Sequence, residues 1–360
     1  MKLTKITLAL TACLLTVTAT PLLAREGGAH PKVIEGVDHN HWLNRLTISG
    51  ILEAEMTKAE DFSGVDTSDI VLATVELGFD AVINDRVDAH LAFLYEEDDT
   101  ALEVDEGTIT VAMSENSSVV MGQMYLPFGS FETNMISDPL TLELGEIRES
   151  ALLVSFGGNG FTASVFAYNG DMTEATAEEQ VDQFGVSLGF TSEGEGMKYD
   201  IGVDYINNIG DSDGLTDAIT AGAGGPVIMT EYVGAYIVHA IFHMGSFTII
   251  GEHLATTDPF DPAELAFNGA GAEPTASNIE LGFDTSVAGK DATIALGYQA
   301  TDEAQALGLP ESKILAALSI NIMEDTALSF EVSQSTDYDI ADGGTGEDAN
   351  AFTLQLAVGF

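Results

Sequence analysis

The sequence predicts an all-β fold: a transmembrane antiparallel β-barrel of about sixteen strands, with short periplasmic turns and long surface loops. Three observations carry this expectation. They are an amino-terminal export signal, segments of roughly ten residues in which apolar and polar positions alternate, and connections that alternate between short and long.

Lys2 and Lys5, the apolar run from Ile6 to Val17 and the small residues ending at Ala24 form the three parts of a secretory signal. Cleavage fits after Ala24, and also after Ala19. Residues 1–24 are then the signal, 25–41 a periplasmic amino-terminal segment and 42–360 the barrel. Leu10-Thr11-Ala12-Cys13 also resembles a lipobox, but the apolar run ahead of it is short and continues past Cys13. Cys13 is the sole cysteine, so the exported chain has no disulfide and no thiolate-bound metal. No later segment approaches the roughly eighteen apolar residues of a membrane helix. A membrane crossing must therefore use strands, which places the chain in the outer membrane.

Alternation places strands at 42–56, 69–83, 86–96, 104–113, 118–126, 149–156, 161–168 and 182–190 in the first half. The second half continues with 197–206, 228–239, 246–255, 277–287, 291–300, 312–322, 326–335 and 350–360. Connections after even strands are short, such as Asn84-Asp85 and residues 288–290. Most of those after odd strands are longer, including 127–148, 207–227 and 256–276. Tight turns at one end and long loops at the other are the habit of bacterial barrels, with both termini periplasmic. The last strand has apolar residues at every even position from Phe352 and ends on Phe360, the pattern by which the barrel assembly machinery recognises its clients.

With Phe360 facing lipid, Ile314, Leu318, Ile320, Ile322, Val71, Val75, Leu77, Phe79 and Ile83 face outward. The charged neighbours Arg45, Glu53, Glu55, Glu76, Asp80, Arg86, Asp88, His90, Asp200, Asp204, Glu252, Glu280, Asp284, Lys313 and Glu331 then face the lumen. A charge at mid-bilayer costs roughly 2–4 kcal/mol, so these groups call for a water-filled interior, which sixteen strands leave room for. Without Lys2 and Lys5 the chain carries 58 acidic residues against 9 basic ones, a formal charge of −49. Such a chain repels nucleic acid and concentrates cations through its summed field. A generally acidic proteome with solvated loop acids accounts for the charge equally well.

The 127–148 connection, the third surface loop, is too apolar to lie free in water, with Phe128, Phe131, Met135, Ile136, Leu140, Leu142 and Leu144. It is expected to fold inward and narrow the pore, using Pro127, Phe128 and Gly129 at its entry. Asp138, Glu143, Glu146 and Glu149, opposed by Arg148, then form a charge filter. Packing on the rim or at a subunit contact is the alternative.

The stretch Gly122-Gln123-Met124-Tyr125-Leu126-Pro127-Phe128-Gly129, followed by Phe131-Glu132-Thr133-Asn134, Asp138-Pro139-Leu140-Thr141 and the exit Glu143-Leu144-Gly145-Glu146, resembles the LbtU-type siderophore porins. The resemblance is specific over about thirty residues and diffuse elsewhere. It implies an outer-membrane channel that admits small solutes or ferric-siderophore complexes without an energy-transducing plug. Residues 25–41 are indeed too few for a globular plug.

Other chemistries find little purchase. There is no Gly-x-Ser-x-Gly elbow, His-Glu-x-x-His or P-loop, so neither an enzyme nor a bound cofactor is expected. Asp88 and His90 read as a lumen hydrogen-bonding pair. His39 with His41, or His239 with His243, lacks the four ligands of a structural metal site. The acidic loops Asp211-Ser212-Asp213-Gly214 and 339–348 suit weak divalent bridging to neighbouring lipopolysaccharide, or simple solvation. Small outward residues Gly50, Ala54, Ala163 and Ala167 would allow barrels to pack as a homotrimer. A non-conducting structural or adhesive barrel would instead need a lumen filled with bulky side chains.

Overall fold

The computed structural model describes residues 45–174, 180–194, 196–220 and 228–360. The signal and lipobox readings and the His39/His41 pair lie outside the described residues.

Sixteen strands form one closed antiparallel barrel in chain order. They are β1 (Leu46–Glu60), β2 (Asp66–Asn84), β3 (Val87–Tyr95), β4 (Glu103–Ser114), β5 (Ser117–Tyr125), β6 (Arg148–Gly158), β7 (Phe161–Asn169) and β8 (Gln183–Gly194). After these come β9 (Met197–Ile206), β10 (Ala235–Met244), β11 (Phe247–Thr256), β12 (Thr275–Val287), β13 (Lys290–Asp302), β14 (Ser312–Met323), β15 (Thr326–Thr336) and β16 (Asp348–Gly359). Pairing of β1 with β16, from Ile51 opposite Gly359 to Glu60 opposite Asn350, closes the sheet and leaves no edge. Gly50 and Phe360 exchange backbone hydrogen bonds of 3.0 Å in both directions, extending the seam. The Phe360 ring covers Gly50 so closely that an added Cβ would stand 2.5 Å from it. Gly50 is therefore already covered within its own barrel and is no open contact for a neighbour.

One end carries two-residue turns, among them Asn159-Gly160 and Ala288-Gly289. Both residues of each turn have positive φ, 54° and 83° in the first and 51° and 78° in the second. That is the primed geometry whose twist matches the flanking strands. The other end carries eight loops, L1 to L8, of which L3 is 126–147, L4 170–182, L5 207–234, L6 257–274 and L7 303–311. Thr173–Glu174 and Ile228–Met229 pair in parallel and tie L4 to L5.

Lipid-facing positions are apolar and bare, for instance Ile48, Leu52, Ile109, Met121, Leu152, Val165, Leu188, Ile201, Ile279, Leu296, Ile314 and Leu356. In water such a belt would aggregate; against hydrocarbon it is the stable surface.

Two expectations about strands need correction. The tenth strand is 235–244, not 228–239. Residues 228 and 229 belong to the small L4–L5 ladder, and the following turn is Gly245-Ser246 rather than 240–245. An apolar run that serves a loop core and one that serves a wall have the same composition, so alternation alone could not separate them. Val71 faces inward rather than to lipid. A bulge at Ala73, between the Glu53–Thr74 and Ala54–Leu72 pairs, reverses the phase of β2 and puts Val71 opposite inward-facing Glu55. Ile70 and Leu72 take the lipid side.

Candidate pore and its inward-folded loop

L3 lies inside the barrel. Its apolar residues Leu126, Phe128, Leu144 and Ile147 are buried with Phe166, Tyr168, Ile206, Ile237 and Leu254 of the wall, and with Ile209, Leu215, Met229, Phe260 and Leu265 of L5 and L6. Burying a Phe or Leu side chain stabilises by about 1.5–3 kcal/mol, which gives a 22-residue loop reason to leave water. The short helix α1 (Leu140–Gly145) sits at its end, with Leu144 fully buried. A Cβ on Gly145 would come within 2.4 Å of Leu254 Cδ1, so a larger residue there would make the Leu254 side chain shift. Helix α2 (Asp213–Thr220) of L5 lies against it: a Cβ on Gly214 would meet the Glu143 carbonyl at 2.3 Å.

A folded-in loop must satisfy its backbone donors, and here inward-pointing wall side chains do so in sequence around the barrel. Gly129 N donates to Asp204 Oδ2 of β9 at 2.9 Å, and Ser130 N to Glu252 Oε2 of β11 at 2.8 Å. Asn134 N and Thr133 Oγ1 donate to the two oxygens of Glu280 on β12, at 2.8 and 2.6 Å. Ile136 N and Ser137 N reach Glu331 Oε2 of β15, at 2.6 and 3.1 Å, while Ser137 Oγ donates to Glu331 Oε1 at 2.7 Å. Lys313 Nζ of β14 donates to Ser137 Oγ at 2.9 Å. Thr141 Oγ1 donates to Glu252 Oε1 at 2.6 Å, and Leu140 N to Gln299 Oε1 at 3.3 Å. Asp204, Glu252, Glu280 and Glu331 thus bind L3 and are covered by it. Hydrogen bonds stabilise these charges, where a water-filled interior was expected to do so.

Glu331 accepts three hydrogen bonds from L3, as Glu252 and Glu280 each do, and also lies in the field of Lys313. Replacing it with alanine leaves three donors of L3 and the buried Lys313 ammonium without their carboxylate, a local loss of about 3–5 kcal/mol. Amide hydrogen exchange in the Glu331→Ala variant should speed up at Ile136 and Ser137 and stay slow in the strands. Unchanged protection at these two amides would contradict the anchoring role.

Across from L3, inward acids of β1 to β4 form a row: Glu55 and Glu53 of β1, Glu76 of β2, Glu96 just beyond β3, then Asp105 and Glu106 of β4. Glu53 lies in the field of Glu76 and Glu96, and Glu55 in that of Glu53 and Glu331, so the acids are mutually close. Gln355 Nε2 donates to Glu55 Oε1 at 2.8 Å. Beside L3 lies a cavity of about 840 Å³, lined by Glu53 of the row, Asn134 and Ile136 of L3 and, for the most part, residues of β13 to β16 and their turns, among them Ser319, Ser329 and Gln355.

Asp105, Glu106 and Glu96 escaped the sequence reading. A bulge in β4 sets Asp105 and Glu106 opposite the single Ala92, so two consecutive acids both face inward. Two adjacent acids in an alternating strand were the available signal. Glu106 lies 3.3 Å from His90 Nε2, and Asp80 lies 2.8 Å from His90 Nδ1, so His90 pairs with these two and not with Asp88.

The cations are scattered. Arg45 Nη1 donates to the Ile83 carbonyl at 2.9 Å, at the end of the barrel that carries the turns, and Arg86 sits in the turn between β2 and β3. Arg148 acts on Glu146 of L3 through its field, but its hydrogen bonds go elsewhere. It binds Glu103 at 2.7 Å and Asp105 at 2.5 Å, both on β4. Asp200 meets His239 Nε2 at 3.2 Å, and Asp284 accepts from Thr293 Oγ1 at 2.8 Å. Pro127 is half-buried beside buried Phe128, and Asp138 is buried. Glu149 lies at the start of β6 near Asp171 and Asp211. Among the described residues, no three His, Asp or Glu side chains converge as a metal site.

Burial pushes the Glu143 carboxyl up to about 7 against the pull of Lys313. Burial, then Asp213, Asp105 and Glu143, push Glu146 up to about 8, with Arg148 opposing. Both folded values exceed the ordinary 4.5, so the packed loop holds these protons more tightly than a released one. Its packing is fully supported below about pH 4.5 and weakens as pH rises toward 7 and 8. Above that range L3 also carries two added negative charges. Cation preference should therefore grow between about pH 6 and 9, and a Glu143→Gln/Glu146→Gln variant should show a flat profile. An equal rise in the variant would assign the effect elsewhere.

No protein-family model matches the chain. It is similar to a UPF0422 protein of Legionella pneumophila strain Lens, 27% identical over 354 residues, and to a UPF0422 protein of Coxiella burnetii, 26% identical over 304 residues. These alignments cover 88% and 82% of this chain, and the chain spans only 66% and 65% of those curated relatives. Among solved structures the barrel resembles the anion-selective porin from Comamonas acidovorans, with a TM-score of 0.60 at 12% identity over 88% of this chain and 99% of that one. It also resembles the outer membrane channel DcaP of Acinetobacter baumannii, with a TM-score of 0.61 at 12% identity over 88% and 97%. Pseudomonas putida OprB gives a TM-score of 0.62 at 9% identity over 88% and 94%. The fold is that of the sixteen-stranded outer-membrane porins; identities this low carry the fold and nothing of selectivity.

Proposed function

We propose that this protein is an outer-membrane diffusion channel whose lumen, narrowed by L3, favours cations and small neutral polar solutes over anions. The observation that carries this reading is the division of the lumen. L3 is pinned to inward side chains of β9 to β15, and the cavity left beside it is lined by Glu53, which lies in the field of Glu76 and Glu96. A row of carboxylates beside a low-dielectric loop focuses a negative potential on the passage. The lining adds hydroxyl and amide groups that hydrogen-bond to polar solutes without charge.

Ferric-siderophore uptake is the finer reading, supported by the resemblance of the L3 stretch to LbtU-type porins. The acid row narrows its scope: an anionic carboxylate siderophore is repelled, whereas a neutral or cationic ferric complex is admitted.

Planar-bilayer recordings of the refolded protein, titrated with a neutral ferric hydroxamate, test both. Cation-selective steps with saturable block support siderophore passage. Cation-selective steps without block leave a general diffusion channel. Absence of conductance overturns both and favours a structural barrel.

A further inference from the structure

L4 and L5 meet above β7 and β8 in a buried polar pocket that the pore does not use. Asp211, 5% exposed, accepts Met172 N at Oδ1 at 2.8 Å and Asn208 Nδ2 at Oδ2 at 2.7 Å. The Asn208 carbonyl accepts from Tyr168 Oη at 2.9 Å, locking this corner to β7. Gln183, 2% exposed, donates its Nε2 to the Met172 carbonyl at 2.8 Å, and its Oε1 is left without a hydrogen-bond partner. A Cβ placed on Gly170 would stand 2.3 Å from Asp211 Oδ2 and 2.4 Å from Gln183 Oε1, so the two oxygens converge over the same point of the L4 backbone.

The Gln183 side chain also hydrogen-bonds to Asp211, yet its buried Oε1 still lacks a donor beside Asp211 Oδ2, a place that calls for a proton or a cation. Flipping the Gln183 amide only exchanges one conflict for another, because its oxygen would then face the Met172 carbonyl. Charge favours the cation. Asp171 and Asp211 are the strongest charged neighbours of Glu149, Asp171 also acts on Asp211, and no Lys or Arg stands among the principal influences on either Glu149 or Asp211.

We propose that this L4–L5 junction binds a divalent cation of the calcium type, with Asp211 Oδ2 and Gln183 Oε1 as ligands and Asp171 and Glu149 supplying further charge. Calcium takes six to eight oxygens in flexible geometry at roughly 2.3–2.6 Å, so an amide oxygen, carboxylates, carbonyls and water together suit it. The acids do not form a site unaided, since no three of them converge. Gln183 is therefore an essential ligand. A bound ion would clamp L4 to L5 beside Met172 and Ile209, members of the apolar core against which L3 packs.

The test is calorimetric titration of calcium into the full-length refolded protein, in an excess of magnesium to occupy the exposed carboxylates. Gel mobility before and after heating verifies barrel closure of every variant. One saturable site is expected, with affinity weakened by roughly tenfold or more in both Gln183→Met and Asp211→Asn. Asp171→Asn, at an exposed position, provides a variant that does not disturb the buried corner and should also weaken binding. Absence of a saturable site in the natural chain, the result if a proton fills the pocket, overturns the proposal. So does unchanged affinity in the Gln183 and Asp211 variants. The readout involves no conductance and is independent of the channel reading.

Discussion

Excising residues 129–144 and joining the ends with a short glycine–serine linker is expected to raise single-channel conductance roughly twofold or more, because a channel's narrowest section dominates its resistance. The loop occupies the space between β9 to β15 and the acid row, and its apolar side chains pack across the lumen. The barrel itself should survive, since its sixteen strand pairs form a ring that L3 does not contribute to. Removing L3 exposes Asp204, Glu252, Glu280 and Glu331 to water, which adds negative charge to a wider lumen. The predicted phenotype is therefore larger steps with cation preference retained. Unchanged conductance in a protein that still shifts its gel mobility on heating would mean that L3 does not bound the passage.

Neutralising the acid row should act on selectivity instead of size. In a Glu53→Gln/Glu76→Gln/Glu96→Gln variant the side chains keep their length while three mutually close charges disappear. Local cation enrichment depends on the summed field, so the cation-to-anion permeability ratio should fall by roughly threefold or more. The effect should be largest at low ionic strength, where the screening length is long. Glu53, Glu76 and Glu96 lie on or beside β1 to β3, on other strands than the L3 anchors, so the two variants separate calibre from charge.

Much of the fold was legible in the sequence because a barrel wall has a strict period of two and its turns are short. The sixteen strands and the alternation of turns and loops follow from that pattern. Where the pattern failed, a bulge or a loop core was responsible. Ala73 reverses the face of Val71, and the Asp105-Glu106 pair turns both acids inward. Residues 228 and 229 carry strand-like composition into a loop ladder. The apolar character of L3 was visible, but the partners of its backbone were not. Asp204, Glu252, Glu280 and Glu331 lie 75 to 195 positions from the groups they bind, and no local spacing encodes that match. For the same reason the charges in the lumen could be enumerated from sequence, while their division into anchors and passage lining required the structure.

The most direct test of the central claim is the reversal potential of the unmodified protein in a planar bilayer under a potassium chloride gradient. A potential displaced toward that of potassium, with a displacement that shrinks as salt is raised, is the predicted result. A potential displaced toward that of chloride, or the absence of any conducting step, would contradict a cation-preferring channel bounded by the acid row and L3.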